Sequence, residues 1–359
     1  MRDAAFFLIV DDHYLGLGRA VARRLVRLWQ IDCHVFLENG GPRQQDDLGE
    51  DGVFLQRNLL KGLRPEGLPS TRNWPPIVYD RIFAPAFLTG YRRLIYLDAD
   101  IYPCFAMPEL LKIPLPGGIG AVQDTAAITA PPHLARMDAE TWRRSIGLES
   151  GRYFNSGMLL IDPEIWQRTD YAAELRSYMA IYGAGVRMPD QDFLNAHFQG
   201  RWTELSPRCN FQKALFNYGY EKVFPPVFLH FSSFQKPWLK PDHIDSPHGQ
   251  FFSVYQEMFA QAGVDHCLYL QKNPESALRK WRTSTRHTLS RWGVVTGKEK
   301  RQRREWDEKA ALMFQSFAED GVAHHYADMD FQLVEMPRPR ISFDGRYLRR
   351  ALEVSYDRI

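Results

Sequence analysis

The sequence predicts an α/β chain with an open, mostly parallel sheet flanked by helices and a basic, largely helical C-terminal extension. Three observations predict it. Short apolar runs at 4–10, 31–37, 93–97 and 154–161 stop abruptly at acidic residues, as strands buried on both faces do. Stretches with helical spacing stand between them. Charge is uneven: eleven Lys or Arg against two Glu between Lys272 and Arg304 give +9 locally, while the whole chain carries +2, so the remainder is −7.

The elements follow in order. AAFFLIV at 4–10 reads as the first strand and ends at Asp11-Asp12. Gly16 and Gly18 come next, then a helical pattern through Leu25, Leu28 and Trp29. IDCHVFL at 31–37 is the second strand, closed by Glu38-Asn39-Gly40-Gly41-Pro42. A β-α-β opening of this kind usually starts a parallel sheet. A weak strand sits near 53–55 within a polar stretch. A helix is expected over 79–88, with Pro85 as its weak point. RLIYL at 93–97 is a buried strand ended by Asp98-Ala99-Asp100, and 119–122 a short one stopping at Gln123-Asp124. Helix and loop are expected over 125–150, interrupted at Pro131-Pro132. The strand at 154–161 is bounded by Asp162-Pro163. A helix carrying Trp166, Leu175 and Met179 should follow, then one over 190–198 capped by Asp190. VFLHF at 227–231 is a late strand, and 249–260 a helix. From about 270 the composition changes. Leu278, Trp281, Leu289 and Trp292 recur at roughly helical spacing in the basic segment, and 311–359 form a short helix and a polar tail. The expected division is 1–265 and an extension over 266–359.

Composition excludes several classes. With 45% hydrophobic and 25% charged residues among 359, the chain has an ordinary soluble composition. The four cysteines (Cys33, Cys104, Cys209, Cys267) form no CxxC pair, which argues against a structural zinc or a redox motif and fits a reducing compartment. No run of 18 apolar residues is present to span a membrane. The N-terminal MRDAAFFLIVDD turns acidic too soon for a secretory signal. A cytoplasmic location is expected. An acidic body without a recognised module argues against nucleic acid. LGLGRA lacks the third glycine of a dinucleotide loop and there is no GxxxxGK[ST], so any nucleotide is held by another device.

Asp98-Ala99-Asp100 is the most informative triplet. Packing alone gives a buried parallel strand no reason to end in two carboxylates, and ligands of open α/β sheets bind at carboxyl strand ends. Such a pair can hold a divalent metal through oxygen, or be a solvated turn. His230, ending a late apolar strand, is either a ligand or a satisfied core residue. Lys236 offers a point charge for phosphate, whereas Trp238 reads as packing. Asn155 lies inside an apolar run, where an unpaired amide would be costly. Trp166 and Trp202 read as core.

At this point the chain resembles glycosyltransferase family 8, retaining enzymes that use nucleotide sugars on a Rossmann-like GT-A fold. The resemblance covers about 5–240 and rests on six ordered blocks: IVDDHY at 9–14, YDRIFAPAFL at 79–88, YLDAD at 96–100, YFNSGMLLID at 153–162, PDQDFLN at 189–195 and HFSSFQKPW at 230–238. Asp162, Ser233 and His13 depart from the family's usual Asn, Gly and Asn.

The resemblance implies roles by position. Asp98, Asp100 and His230 look like ligands of Mn²⁺, with Mg²⁺ also compatible, bridging the diphosphate of a UDP-sugar. Lys236 would pair with the same diphosphate. Tyr14 looks like the ring on uracil, Asp11 like a contact to the base, and Arg81 like the basic residue reaching the nucleotide sugar. Asn155, Asp190 and Gln191 look like the groups around the transferred sugar. The implied reaction moves galactose or glucose from UDP to a glycan or glycolipid acceptor, with bacterial lipopolysaccharide as the nearest kind. Charge on the departing phosphate is then met by metal and lysine. A carboxylate nucleophile, as in retaining glycosidases, would have to be Asp190, since the Gln191 amide is a poor one; front-face attack is the preferred reading. Residues 125–150, with Pro131, His133, Trp142 and Arg143, are expected on the acceptor side, and 275–305 against an anionic membrane or packed on the domain. The alternatives are a non-catalytic relative that binds sugar nucleotides and a nucleotidyltransferase. The latter would want a basic loop where Asp11 and Asp12 stand.

Overall fold

The computed structural model describes residues 2–38, 50–70, 74–128, 139–149, 152–217, 220, 225–232, 236–239 and 247–269, with isolated positions from 281 to 312. Its strands are β1 Arg2–Val10, β2 Asp32–Leu37, β3 Val53–Arg57, β4 Tyr91–Leu97, β5 Ile101–Pro103, β6 Ile119–Gln123, β7 Phe154–Ile161, β8 Thr203–Glu204, β9 Phe211–Gln212 and β10 Phe228–His230. Its helices are α1 Leu15–Trp29, α2 Asp80–Phe83, α3 Thr125–Ile128, α4 Ala139–Ser145, α5 Pro163–Trp166, α6 Tyr171–Tyr182, α7 Pro189–Phe198, α8 Lys213–Asn217 and α9 Pro247–Gln261.

Seven strands form the main sheet in the order β3-β2-β1-β4-β7-β6-β8. Every pairing is parallel except those of β7, which runs antiparallel to both β4 and β6. The mixed sheet is the GT-A-like α/β arrangement that the sequence predicts. Alternate residues of β1 and β4 point to opposite faces, yet both sets are buried because helices cover both. Phe6 meets Trp29 of α1 edge to face at 5.2 Å on one side. On the other, Phe7 packs with Tyr96 and Phe36 in a core shared with α2, α6 and α7. At roughly 25 cal/mol per Å² of apolar area, burying these strands is the main force that fixes the sheet. A second sheet, β5-β10-β9, extends from the carboxyl end of β4.

Three local expectations need correction. The helix expected over 79–88 is one α-turn, α2, between 3₁₀ turns at Pro76–Tyr79 and Ala84–Phe87. Pro85 has no N–H to continue the helical ladder. The helix expected to carry Trp166, Leu175 and Met179 is two helices: Asp162 caps α5, and Asp170 caps α6 by accepting from the Ala173 N–H. Asp190 does not cap α7; Asp192 accepts the N–H groups of Arg187 and Met188 at 2.7 and 3.0 Å just before it.

The chain divides into two compact units. The first holds 1–212 and 226–230, and therefore both sheets. The second holds 213–225 and 231–359. Its described part is an aromatic cluster in which Phe231, Phe251 and Tyr255 meet, with Trp238 buried against Tyr255 as expected of a packing residue. Most of the basic segment, including Leu278, Leu289, Trp292 and Arg303, lies outside the described residues, as do Pro131, His133, Ser233 and the tail. Among the described residues no helix is long and apolar enough to cross a membrane.

Candidate active site

The site is built where β4 stops. After Leu97 the chain turns through Asp98-Ala99-Asp100 into β5, and β5 pairs antiparallel with β10, setting Ile101 directly opposite His230. That register brings a residue 130 positions away beside the acidic triplet. His230 Nε2 stands 3.4 Å from Asp100 Oδ1 and 3.9 Å from Asp98 Oδ2. Donor atoms of the three side chains all lie within 4.8 Å of one another, and this is the metal-competent group found among the described residues.

Neighbours prepare the cluster. The Tyr96 hydroxyl donates to Asp98 Oδ1 at 2.5 Å, and an Arg81 guanidinium nitrogen sits 3.1 Å from the same oxygen. Oδ1 is thus held, and Oδ2 turns toward His230. Burial raises the Asp98 carboxyl above its ordinary range; Arg81 opposes the shift and the nearby Asp100 adds to it. A cation between the carboxylates would relieve that cost. Gly157 of β7 leaves the space: a Cβ there would run into the His230 ring and come within 2.8 Å of Asp98 Oδ2. Two carboxylates and one imidazole around a cradle kept open by glycine fit a divalent ion of the Mn²⁺ or Mg²⁺ kind.

Behind the cluster lies a buried polar network. Arg81 is almost wholly enclosed and reaches Asp190 Oδ2 at 3.2 Å, the Ser156 carbonyl at 3.0 Å and the Tyr96 ring, 4.6 Å from its guanidinium carbon. Burial works against its charge, but Asp190 and Asp98 outweigh it and raise the pKa. The sequence reading sends Arg81 to the nucleotide sugar; the structure gives it these protein partners and makes it the bridge between two carboxylates. Asp190 also accepts from Ser156 Oγ at 2.8 Å. Gln191 accepts the Ser156 N–H at 3.0 Å and donates to Asp124 Oδ2 at 3.0 Å. Asn155 donates to the same Asp124 oxygen at 3.0 Å, so its amide is satisfied inside the apolar strand.

Asp11 and Tyr14 stand one strand away, at the end of β1. Asp11 Oδ1 accepts the Tyr14 N–H at 2.9 Å and shapes the turn into α1. Lys236 belongs to the second unit, where its ammonium donates to the Phe231 carbonyl at 2.9 Å. Trp142, expected on the acceptor side, is instead buried against Tyr153, Ile146 and Leu148. Trp166 is core as expected. Asp124 and Asn210 carry no assignment in the sequence reading. Asp124 has a signal, an acid at the end of the apolar strand β6. Asn210 has none, being one polar residue at the end of a short 3₁₀ turn.

A model of glycosyl transferase family 8 matches residues 42–242. The chain belongs to that family. Among its relatives are the lipopolysaccharide glucosyltransferase WaaO of Escherichia coli K12, 29% identical over 200 residues (50% of this chain, 54% of WaaO), and the lipopolysaccharide 1,3-galactosyltransferase of Salmonella typhimurium, 31% identical over 195 residues (50% and 54%). Glycosyltransferase GlyF of Streptococcus pneumoniae is 30% identical over 167 residues, 45% of this chain and 37% of GlyF. The chain spans about half the length, or less, of these relatives. Among solved structures, galactosyltransferase LgtC with donor and acceptor sugar analogues aligns with 77% of this chain and 99% of LgtC at 20% identity and a TM-score of 0.57. The bifunctional glycosyltransferase WbbM aligns with 75% of this family 8 chain and 51% of its own at 19% identity and a TM-score of 0.59. Both are likenesses of fold.

Proposed function

We propose that this family 8 chain is a retaining, metal-dependent glycosyltransferase that moves a hexose, galactose or glucose, from a UDP-sugar to a glycan or glycolipid acceptor of the lipopolysaccharide kind. The observation that carries the reading is the convergence of Asp98, Asp100 and His230 at the carboxyl end of a parallel strand. The names of the E. coli and Salmonella relatives support the choice of donor and acceptor class.

On this reading Asp98, Asp100 and His230 hold Mn²⁺ or Mg²⁺. When bound, the ion supplies positive charge where the departing diphosphate gathers negative charge. Asp11 and Tyr14 receive the base. Lys236 is assigned to the same diphosphate by its place in the HFSSFQKPW block. Asn155, Asp190 and Gln191 surround the transferred sugar. The network bears on the route. Asp190 is tied to Arg81 and Ser156, and Gln191 uses both ends of its amide on the protein. A carboxylate held by a buried guanidinium is a weakened nucleophile. That favours front-face attack, with the leaving phosphate accepting the acceptor's proton. Kinetically competent glycosylation of Asp190, seen by mass spectrometry of quenched enzyme, would overturn this route.

The reading extends to location: a cytoplasmic protein whose basic segment 275–305 touches the anionic inner face of a bacterial membrane. Trp281, 65% exposed, supports this. Charge reversal at Arg301, Arg303 and Arg304 should abolish salt-sensitive binding to anionic vesicles while activity on a soluble acceptor stays.

An array of nucleotide sugars, with and without Mn²⁺, scored for slow donor hydrolysis, tests the central claim without an acceptor. Metal-dependent hydrolysis of UDP-galactose or UDP-glucose is expected. Absence of hydrolysis and of UDP binding across the array would sink it.

A further inference from the structure

We propose that Asn210 is a positioning residue that fixes the tautomer of His230, placing the proton on Nδ1 and leaving the Nε2 lone pair aimed at Asp98 and Asp100. The proposal deepens the metal reading above and rests on it for its affinity arm alone.

A chain of hydrogen bonds links Gly157 to His230, and its polarity is forced from one end. The Gly157 backbone N–H points at one side-chain atom of Asn155 from 3.0 Å. A backbone N–H can only donate, so that atom is Oδ1. The other end of Asn155 is then Nδ2, and it faces the acceptor oxygen of Asp124 at 3.0 Å. The two ends agree. Asn210 approaches the same Asn155 Oδ1 at 2.9 Å. Only a donor is favourable there, so Asn210 presents Nδ2. Its Oδ1 consequently faces His230 Nδ1 at 2.8 Å. An amide oxygen only accepts, which puts the hydrogen on Nδ1 and strips it from Nε2 of the neutral ring.

The fold makes the arrangement rigid. Asn155, Asn210 and His230 are all buried. Asn210 closes the 3₁₀ turn Pro207–Asn210 just before β9, and β9 pairs with β10 so that Gln212 lies beside His230. Turn and pairing set the distance between Asn210 and the imidazole. A histidine that ligates a metal through one nitrogen commonly donates from the other to an oxygen, which orients the ring and raises ligand basicity. Here the oxygen is an amide, anchored in turn to a strand of the main sheet.

The test begins without metal. In ¹⁵N-labelled wild-type protein at pH 8, with His230→Gln used to assign the signals, His230 should show a protonated Nδ1 and a bare Nε2. A ring whose Nε2 carries the proton overturns the proposal. Mn²⁺ titration by water-proton relaxation then compares Asn210→Leu with Asn210→Asp. The leucine variant, folded by circular dichroism, should bind Mn²⁺ about 10–100-fold more weakly. The aspartate variant should recover most of that loss, because a carboxylate still accepts from Nδ1–H. A folded Asn210→Leu protein that keeps the Nδ1 tautomer and wild-type Mn²⁺ affinity also overturns it. If Asn210→Leu does not fold, the wild-type tautomer decides. If wild-type protein binds no Mn²⁺, the metal reading fails, while the tautomer still decides the role of Asn210.

Discussion

Two neighbouring parallel strands end in a pair of acids, and only one pair is joined by a histidine into a metal-competent group. β1 ends at Asp11-Asp12, β4 at Asp98-Ala99-Asp100. After β1 the chain enters a tight turn into α1; Asp11 spends an oxygen on the Tyr14 N–H, and Asp12 is exposed. After β4 it enters β5, whose partner β10 delivers His230. Antiparallel β7 adds Gly157, which leaves room between the ligands. The difference teaches that paired carboxylates at a strand end become a metal-competent group through the element that crosses them.

The comparison can be broken most directly at the acids. Asp98→Asn or Asp100→Asn should lower Mn²⁺-dependent UDP-sugar hydrolysis by about 10³-fold, the scale of several kcal/mol of lost charge stabilisation. Asp12→Asn should leave the rate unchanged. Equal losses at both strand ends, with circular dichroism unchanged, would erase the distinction between them.

Acid titration could blur such assays, because the fold has its own pH dependence outside the cluster. His34 is buried between Gln56, 3.2 Å from Nδ1, and Tyr91, 2.9 Å from Nε2; the Tyr91 hydroxyl donates to Asp32, so it accepts from Nε2–H and the ring is neutral. Burial lowers its pKa to about 4, and does the same for His197. A base depressed below its unfolded value near 6.5 is protonated first in the unfolded chain. Stability is therefore full above pH 6.5 and falls as pH drops toward 4, by about 3 kcal/mol for each ring. Urea unfolding across that window should show the loss, and His34→Gln together with His197→Gln should flatten it.

Gly157→Ala sharpens the comparison by filling the cradle alone. Overpacking should cost about 1–3 kcal/mol of stability. Mn²⁺ affinity should fall with it, whereas a substitution at the β1 end should not affect metal binding. Unchanged Mn²⁺ affinity would show that the glycine serves only packing. The smallest effect is expected at Asp11→Ala. Losing one side-chain bond to a turn N–H should cost about 1 kcal/mol of unfolding free energy. Donor affinity should weaken if Asp11 also meets the base.

By itself the sequence determined the strands of the first half, their acidic ends and the blocks that carry Asp98, Asp100 and His230. Apolar runs that stop at charge are local patterns, and residues 98, 100 and 230 belong to blocks written contiguously in the chain. The body and end of α7 were legible for the same reason, its start at Pro189 falling one residue before the expected one. Its cap was not, because Asp190 and Asp192 are chemically alike and only the fold decides which meets free N–H groups and which meets Arg81. Asn210 is likewise decided by the fold alone, whereas Pro85 in 79–88 and the acid Asp124 at the end of β6 left local signals. What tertiary structure alone decided is which polar groups face one another. Arg81 finds Asp98 and Asp190, Asn155 finds Asp124 and Asn210, and His230 finds the acids through the pairing of β5 with β10. Side-chain partners 17 to 132 residues apart leave no periodicity in a sequence. They are set by strand register, and register is fixed by burial of the whole sheet.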